Sequence, residues 1–478
     1  MICTDILLSL GDGYSESSRN IHKCIHKCGE VQTKYKSVDT CLYCATMNSE
    51  CCVVVAQVNF RRGVEMRVVV LGGGVVGVTT AYQLQRDGHE VVLIERQEKV
   101  ASETSWGNAG MIGCGHTFVW SSPKAPGILL RSLFLKDQAL RFRFTTDPRL
   151  YSWSLLFLKE CTAAKARRNT LLKHRIAVYS QSVLDAVVRD EQLDYDRNVR
   201  GIFYFHRSHE ALERGIRQMR LLEQDGQLIK IIDGDEVQRL EPSIAGKGKI
   251  VGAIYCPTDE TGDPAMFTRA LAQKVEERGG ELMTSTTITS IRHDGRKITG
   301  VQTNRGEVKG DAYVLALGTH SPKLASEIGV SLPIYPVKGY SLTIPVDGRP
   351  KPPTIASLDE HNLVAITSFG DRIRVTATAE FAGYNTTHKP SDFEFMKNVV
   401  RELYPDGANY DAAEMWAGLR PMTPNNLPCL GRKRYDNLFL NTGHGHIGWT
   451  MSHGSARIIA DLIADRRPEI SMDGLLWA

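Results

Sequence analysis

Two short apolar runs frame a helical pattern near residue 70. Arg67–Leu71 (RVVVL) is rich in β-branched residues, which is typical of a buried parallel strand. From Val75 to Asp87 the apolar residues recur at helical spacing, and Gly88 stands where a helix C-terminal glycine belongs. A second apolar run, Glu90–Ile94, predicts another strand. The pattern therefore predicts a βαβ unit.

The rest of the chain alternates between helical and strand patterns. Residues 170–225 are rich in helix-forming positions, with one apolar strand at 201–205. A strand-rich block follows, and the chain returns to a strand at 438–442 and a helix at about 446–464. This order predicts an α/β domain interleaved with a strand-rich α+β domain. Further strands are predicted at 286–291, 300–303, 311–318, 332–344, 363–379 and 414–419, and an amphipathic helix at 267–279.

A glycine turn joins the first strand to the first helix. Gly72, Gly74 and Gly77 form the pattern G-x-G-x-x-G. The first glycine allows the tight turn, the second lets a pyrophosphate approach the backbone, and the third lets helix and strand pack closely. The free N–H groups of the helix start then face the phosphates. Glu95 lies 23 residues after Gly72, where its carboxylate accepts ribose hydroxyls, so the unit predicts a Rossmann-like dinucleotide site.

The acid at position 95 favours an unphosphorylated ribose, and therefore NAD or FAD over NADP. Residues 102–111 (SETSWGNAGM) cluster small and amide side chains, which would let a longer cofactor run past the pyrophosphate in close backbone contact. A simple polar loop is the alternative for this segment alone. FAD is therefore the predicted cofactor. The residues predicted to bind it are Gly72, Gly74, Val75, Val76, Gly77, Glu95, Arg96, Ser105, Asn108, Ala109, Gly110, Met111, Gly318, Gly418, Gly445, Ile447, Gly448, Trp449 and Thr450.

A second glycine loop lies far along the chain. Residues 441–450 (NTGHGHIGWT) have the pattern of a strand, a glycine loop and a helix start. If the cofactor is a flavin, a helix N-terminus there favours the negative charge that the reduced ring carries near N1 and the C2 carbonyl. His444 and His446 have no third ligand nearby in the sequence, so no metal site is predicted.

Arg420 is the predicted substrate-binding residue. It stands between Gly418 and Pro421, and a planar guanidinium binds a carboxylate through two parallel hydrogen bonds. The alternative is a structural arginine paired with a nearby acid. Tyr340, in the strand-rich middle, is predicted to contact the carboxylate or close the pocket, and a packed core tyrosine is the alternative. With His446, these residues form the predicted catalytic set.

Composition and charge narrow the possible partners. The 478 residues carry 58 basic and 54 acidic side chains, a net charge of +4, which is too balanced to indicate a nucleic-acid partner. Seven of the 11 cysteines lie in the first 65 residues, so the body indicates a reducing compartment. There Cys24-x3-Cys28 and Cys41-x2-Cys44 imitate a zinc site, but the segment lacks helix or strand periodicity. We predict that residues 1–65 are an extension of doubtful structure, outside a functional body beginning at Met66.

Residues 124–168 are the strongest candidate for membrane contact. They mix apolar runs with ten basic and three acidic residues, a composition that suits an anionic bilayer surface. A helical cap, with apolar faces inward and basic faces outward, is the preferred alternative. No apolar stretch reaches the roughly 18 uninterrupted residues that a transmembrane helix needs.

Several motifs from Met66 to about Ile470 carry a family resemblance. They are the N-terminal βαβ unit and the segments 259–263 (DETGD), 335–345 (YPVKGYSLTIP), 418–424 (GLRPMTP) and 441–445 (NTGHG). Together they resemble bacterial D-amino acid dehydrogenases of the small-subunit type, within the FAD-dependent D-amino acid oxidase and glycine oxidase superfamily. The chain departs from that family at His446, at His453 and at 376–378 (TAT). Residues 1–65 have no counterpart in it.

The resemblance implies a function. It implies an amino acid substrate held through its carboxylate by Arg420, a 2-oxo acid and ammonia as products, and a quinone or other electron acceptor. By resemblance, FAD is held by Gly72, Gly74, Gly77, Glu95 and the 445–450 loop.

The predicted mechanism is hydride transfer from the substrate Cα to flavin N5. No side-chain base is required, because orientation and desolvation supply much of the acceleration. Three alternatives stay open. They are an oxygen-using glycine or secondary-amine oxidase, a proline- or hydroxyproline-type imino acid dehydrogenase, and a non-catalytic flavin subunit that relays electrons.

The domain boundaries follow from the same patterns. The FAD-binding domain is predicted to comprise 66–120, 259–320 and 414–470, and the substrate domain 121–258, with its helical cap, and 321–413. The predicted location is the cytoplasm, including the inner face of the plasma membrane as a peripheral protein. An oligomer or a partner subunit is left open.

Overall fold

The chain divides into two units, Met1–Gly63 and Val64–Ala478. In the first unit, three strands form an antiparallel sheet in the order β1, β2, β3: Val31–Ser37, Thr40–Met47 and Glu50–Ala56. The prediction of no periodic element before Met66 was therefore wrong. In β3, residues 51–55 (CCVVV) form a continuous run of strand-favouring side chains that does not alternate. The zinc-like spacing begins at Cys24 and Cys28, outside the described residues. The computed structural model describes residues 31–37, 40–47, 50–56, 65–134, 140–142, 146–245 and 249–477.

The second unit contains strands and helices in alternation. Its strands are β4 Arg67–Leu71, β5 Glu90–Ile94, β6 Met111–Ile112, β7 Leu140–Phe142, β8 Ile202–His206, β9 Lys230–Asp233, β10 Gly252–Cys256, β11 Glu260–Thr261, β12 Glu281–Met283, β13 Ile288–His293, β14 Ile298–Thr303, β15 Gly306–Val308, β16 Ala312–Leu315, β17 Tyr335–Pro345, β18 Ala356–Asp359, β19 Val364–Phe369, β20 Arg372–Phe381, β21 Glu414–Met422, β22 Cys429–Arg432 and β23 Leu438–Thr442. Its helices are α1 Val75–Arg86, α2 Ala125–Phe134, α3 Pro148–Glu160, α4 Ala163–Glu191, α5 His209–Glu223, α6 Gly234–Leu240, α7 Pro264–Glu277, α8 Ser321–Glu327, α9 Glu394–Leu403 and α10 Gly448–Ile463.

A six-stranded sheet carries the predicted dinucleotide unit. Its strand order is β12-β5-β4-β16-β23-β22, and only the edge pair β23–β22 is antiparallel. Along β4, Val68 and Val70 pack in the core beneath α1, whereas Val69 and Leu71 pack in a second core on the opposite face. Because both faces are covered, the strand is apolar at every inner position, which explains why its sequence does not alternate.

A nine-stranded sheet forms the other half of this unit. The order is β21-β17-β20-β19-β18-β8-β10-β9, and β7 pairs with β20. Two sheets built from interleaved segments confirm the predicted fold class. One boundary differs, because β21 lies in the segment 414–470 that was assigned to the FAD-binding domain. It pairs with β17 along its length, from Thr343↔Glu414 to Tyr335↔Met422, so it belongs to the second sheet.

The helical cap predicted at 124–168 comprises α2 and α3. Its inner face packs Trp153 and Phe157 against Tyr335 and Phe381 of the nine-stranded sheet. The outer face differs from the predicted basic surface, because it also exposes large apolar side chains, with Leu155 being 63% exposed. Among the helices of the described residues, none is long and apolar enough to cross a membrane.

Candidate active site

The first glycine turn has the geometry that close packing requires. Gly72 has φ +113°, and a Cβ there would lie 2.7 Å from the carbonyl oxygen of Ala316 on β16. A Cβ at Gly77 would collide with the carbonyl oxygen of Gly72, so α1 packs directly on the turn. At Gly74 the nearest atom is Ser105 Oγ, 3.5 Å away, and the backbone there is open. The turn is therefore tight at Gly72, closely packed at Gly77 and open at Gly74.

The start of α1 has few partners for its N–H groups. Its N-cap, Gly74, has no side chain, and one N–H, that of Val75, donates to Ser105 Oγ at 3.1 Å. The first N–H groups of a helix have no partners within it, and the helix dipole favours anions at this end. This end of α1 therefore suits a pyrophosphate.

Glu95 ends β5 at the edge of the same groove. Its carboxylate accepts hydrogen bonds from the Gly73 N–H at 2.7 Å and the Gln97 N–H at 2.8 Å. Burial raises the pKa of Glu95, and these two bonds oppose the rise. Each oxygen keeps a lone pair, so the carboxylate can also accept ribose hydroxyls. Arg96 lies on the rim, where it donates to Glu103 at 2.6 Å.

The groove has a volume of about 340 Å³ and runs from the first glycine turn to the second. At the far end α10 begins after Ile447 without a side-chain cap. The groove therefore offers two open helix starts and the carboxylate of Glu95, which fits the two ends of FAD. The predicted residues that line it are Gly72, Gly74, Val75, Val76, Glu95, Arg96, Ser105, Asn108, Gly318, Gly445, Gly448 and Trp449.

A larger cavity of about 580 Å³ adjoins this groove, and both are lined by Asn108 and Gly445. Its wall is mostly apolar, with the aromatic side chains of Phe142, Trp153 and Phe157 on the cap side. The predicted residues that line it are Asn108, Ala109, Met111, Tyr340, Gly418, Arg420, Gly445, His446, Ile447 and Thr450.

Two of the predicted cofactor residues line neither space. Gly77 packs on the Gly72 carbonyl, as described above. Gly110 has φ +77°, and a Cβ there would collide with the ring of Phe369 and lie 2.8 Å from the Gly262 carbonyl oxygen. Gly110 therefore shapes the loop by packing, which sequence spacing does not reveal. The side chain of Trp449 lies in the core beside Phe267, so this residue meets the groove through its backbone.

Arg420 lies in the cavity wall without an acidic partner. Its Nη1 donates to the carbonyl oxygens of Thr378 at 2.8 Å and Lys338 at 3.4 Å. The guanidinium lies over Gly339, where a Cβ would come 2.5 Å from Cζ. No carboxylate of the described residues is within ion-pair distance of it. Burial lowers the pKa of Arg420 to about 10, so a bound carboxylate would relieve an uncompensated buried charge.

Tyr340 lines the cavity, but its hydroxyl is already engaged. It donates to the buried carboxylate of Glu380. The Tyr340 ring packs edge-on against Phe393 at 5.3 Å, in the core of the nine-stranded sheet. This arrangement agrees with the alternative of a packed core tyrosine, because the Tyr340 hydroxyl already donates its hydrogen bond to Glu380.

His446 follows the second glycine turn and faces several rings. It stacks on Trp120, with ring centroids 5.0 Å apart, and meets His116 edge-on at 5.8 Å. Both its ring nitrogens are buried, and neither bonds a described residue. Burial holds the pKa of His446 well below its usual range, and the charges of Lys173, His116 and Arg420 add to this effect. His446 is therefore a neutral imidazole in the cavity wall.

The 259–263 motif pairs with β6, the strand that follows the loop at residues 102–110. Glu260 and Thr261 pair with Ile112 and Met111 as β11 and β6. Asp263 caps α7 by accepting from the Ala265 N–H at 2.8 Å. The motif thus holds β6, whose Met111 lines the cavity, by backbone pairing, and it caps α7.

Two further residues, one beside the cavity and one in its wall, were not predicted from the sequence. Arg374, on β20, donates to the carbonyl oxygens of Trp106 at 2.6 Å and Asn108 at 3.0 Å, so it fixes the loop between groove and cavity. Trp416 lies so close to Gly107 and Gly418 that a Cβ at either glycine would collide with its ring. Both residues sit in alternating strands, where nothing in the sequence distinguishes a loop-binding arginine from a surface one.

Comparisons with known proteins agree with this arrangement. The family described as FAD dependent oxidoreductase matches residues 67–462. D-amino acid dehydrogenase 2 of Mesorhizobium japonicum is 44% identical over 414 residues, which cover 86% of this chain and 100% of that protein. D-amino acid dehydrogenase of Paramagnetospirillum magneticum is 40% identical over 412 residues, covering 86% and 98%. The crystal structure of glycine oxidase from Geobacillus kaustophilus, 21% identical, matches with a TM-score of 0.68 over 87% of this chain and 98% of that one.

The family match, residues 67–462, includes every residue that lines the groove and the cavity. The comparisons confirm the family resemblance and the FAD cofactor that the sequence predicted. The chain belongs to the FAD dependent oxidoreductase family, in the group that includes the D-amino acid dehydrogenases.

Proposed function

We propose that the protein is an FAD-dependent dehydrogenase that converts D-amino acids into 2-oxo acids and ammonia and passes the electrons to a quinone-type acceptor. The observation that carries this proposal is the guanidinium of Arg420, a half-buried residue that lines the cavity beside the FAD groove and has no acidic partner among the described residues. Such a cation suits a substrate carboxylate. The 44% identity to a D-amino acid dehydrogenase supports the substrate class.

The chain's own residues would bind and orient both molecules. The turn at Gly72–Gly77 and the start of α10 would hold FAD, which supplies the hydride acceptor. Arg420 would fix the substrate carboxylate, and so orient the Cα hydrogen. The apolar wall around Trp153 would exclude water, which strengthens the hydrogen bonds to Arg420. Positioning of this kind supplies much of the rate enhancement in reactions that form no covalent bond between substrate and protein.

Anaerobic mixing tests the substrate class. The yellow holoenzyme is mixed with matched D- and L-amino acids, glycine and proline analogues, and the flavin absorbance near its visible maximum is followed. We expect D-amino acids to bleach it. Bleaching by L-amino acids alone, or by none of the panel, would contradict the proposal, and the second result would favour the electron-relay alternative.

The same sample identifies the acceptor. Bleached enzyme is mixed with either a soluble quinone analogue or air-saturated buffer. We expect fast re-oxidation by the quinone and slow re-oxidation by dioxygen. The reverse order would assign the protein to the oxidases.

We also propose that the outer face of the cap lies on an anionic membrane. On α3, Tyr151, Leu155 and Leu158 follow helical i, i+4, i+7 spacing and are 58%, 63% and 44% exposed. On α2, Leu130 is 61% exposed, and Ile128 is 51% exposed while also lining the cavity. An apolar acceptor in a bilayer would therefore meet the cavity at this face.

Vesicle sedimentation tests the membrane contact. The double variant Leu130→Glu/Leu155→Glu should lose binding to anionic vesicles by at least about tenfold, because burying one leucine contributes about 1.5–3 kcal/mol. The control is Val199→Glu, at an apolar position that is equally exposed, 63%, on a different part of the fold. Equal binding by both variants and the wild type would refute the contact.

A further inference from the structure

One side of the cavity is a row of four aromatic rings. The ring of Phe142 stacks on that of Phe381, with centroids 4.7 Å apart. The ring of Trp153 lies 5.8 Å from that of Phe381 and 5.1 Å from that of Phe157. All four residues line the cavity, and they come from β7, β20 and α3. We call Phe142, Trp153, Phe157 and Phe381 the aromatic wall.

The aromatic wall is joined to the strand that carries Arg420. Trp153 Nε1 donates to the Met422 carbonyl oxygen at 2.8 Å, and the Met422 side chain packs with Trp153 in the same core. Arg420 and Met422 are two residues apart on β21, which pairs with β17 in unbroken register there, so their side chains lie on the same face. At 3.3–3.4 Å per residue, the two positions are about 7 Å apart along the strand. A ligand held at Arg420 by its carboxylate therefore has the aromatic wall within reach of its other end.

The FAD groove meets a different part of the cavity. Thr104, Asn108 and Gly445 line both spaces, whereas no residue of the aromatic wall lines the groove. The Gly445 N–H donates to the Pro421 carbonyl oxygen at 3.0 Å, so the groove end of the cavity is joined to β21 beside Arg420. Arg420 is therefore close to both the cofactor end and the aromatic wall.

The cavity offers one formal charge to a ligand. Among the described residues that line it, Arg420 is the one with a charged side chain at neutral pH. His116 and His446 are neutral, because burial lowers the pKa of His116 to about 4 and holds that of His446 well below its usual range. Once the α-carboxylate of an amino acid occupies Arg420, a charged side chain on that amino acid would be buried without a partner. Burial of an unpaired charge is strongly unfavourable.

We propose that the substrate side chain packs on the aromatic wall, and that the enzyme prefers D-amino acids with large apolar side chains to those with small or charged ones. This inference rests on the proposed function and names the substrate class of the same site. A leucine or phenylalanine side chain loses apolar surface to the wall, whereas an alanine methyl covers little of it. A charged side chain would lose its water without gaining an opposite charge.

Anaerobic reduction of the wild-type holoenzyme tests the preference. No acceptor is added, and the second-order rate constant of flavin bleaching is measured for pairs of substrates with equal numbers of side-chain atoms. We expect D-leucine to react faster than D-aspartate, and D-norleucine faster than D-ornithine, by at least about 100-fold, because the charged member of each pair is left unpaired. D-phenylalanine should react at least about tenfold faster than D-alanine, as the extra apolar groups are buried.

A variant of the aromatic wall tests its role directly. Phe142→Ala removes one ring at a half-buried position of β7. The ratio of the rate constants for D-phenylalanine and D-alanine should fall by about tenfold. The control is Phe395→Ala, at a half-buried phenylalanine of α9 that packs in another core and does not line the cavity, and it should keep the wild-type ratio. FAD content is measured from the visible spectrum, and a ratio within one protein is independent of the active fraction.

Three results would overturn the inference. The first is that D-aspartate, D-ornithine or D-alanine reacts as fast as its partner, which the wild type decides without any variant. The second is an unchanged ratio in Phe142→Ala. The third is a defect of Phe142→Ala confined to re-oxidation by a quinone analogue, which would assign the aromatic wall to the acceptor. All three leave the proposed function intact, because D-amino acids still bleach the flavin. Absence of bleaching by any D-amino acid would instead remove the proposed function, and this inference with it.

Discussion

Replacing Lys173 with methionine should make the folded protein more stable at neutral pH. Burial lowers the pKa of Lys173 from 10.5 to about 7. Between these two pH values the unfolded chain holds the lysine proton and the folded chain does not. The free energy of unfolding of the wild type therefore falls as the pH is lowered from 10.5 to 7, and this contribution is constant below 7.

The size of the effect follows from the same two pKa values. Each pKa unit is equivalent to about 1.4 kcal/mol, so the lysine costs about 5 kcal/mol of stability at pH 7 and below. Methionine is unbranched and similar in length, so it fills the space of the lysine stem without a charge. The difference in free energy of unfolding between variant and wild type should grow by about 1.4 kcal/mol for each pH unit from 10 down to 7.

Urea unfolding of the holoproteins at several pH values measures this difference. Far-ultraviolet circular dichroism follows the transition, and Lys165→Met controls for the loss of a lysine on the exposed part of the same helix. Parallel pH dependences for the wild type and Lys173→Met would refute the reasoning, because they would mean that the buried amine has a partner in the folded protein.

Three other predictions address the groove and the cavity. Arg420→Leu should lower kcat/KM by about 10–100-fold, mainly by raising KM, because a charge-assisted hydrogen bond contributes about 1.5–3 kcal/mol. Steady-state kinetics measure this change. Unchanged kinetics in a variant that retains its flavin absorbance would refute the role of Arg420 in binding the carboxylate. Gly77→Ala should lower the Tm and the FAD content, because the new Cβ would collide with the Gly72 carbonyl. Gly74→Ala should fold normally and weaken only the binding of FAD, because the backbone there is open. Equal losses of Tm in the two variants would contradict this prediction. A chain that begins at Met66 should keep its FAD, as judged by the visible spectrum, and loss of flavin would show that residues 1–65 support the cofactor site.

The dinucleotide unit and the cofactor could both be predicted from local sequence patterns. A strand buried on both faces, a glycine turn and an amphipathic helix each leave a local pattern, because burial and backbone conformation act on neighbouring residues. Gly72 and Gly77 were assigned their roles for this reason. The Arg420 segment was recognisable because an arginine between glycine and proline stands out locally.

Which side chains face each other depends on contacts between segments far apart in the chain, and local patterns do not show these contacts. The hydrophobic pattern of β21 is compatible with a strand in the six-stranded or in the nine-stranded sheet. Its pairing with β17 was therefore not predictable from the alternation of side chains. The Tyr340 hydroxyl bonds Glu380, 40 residues away, and this contact removes it from the carboxylate role. The cysteines are concentrated in the first 65 residues, and this distribution is visible in the sequence. Lys173 is not distinguishable in the sequence, because its helix contains several other basic residues. The pKa of Lys173 is lowered by burial, and burial is set by packing between segments far apart in the chain.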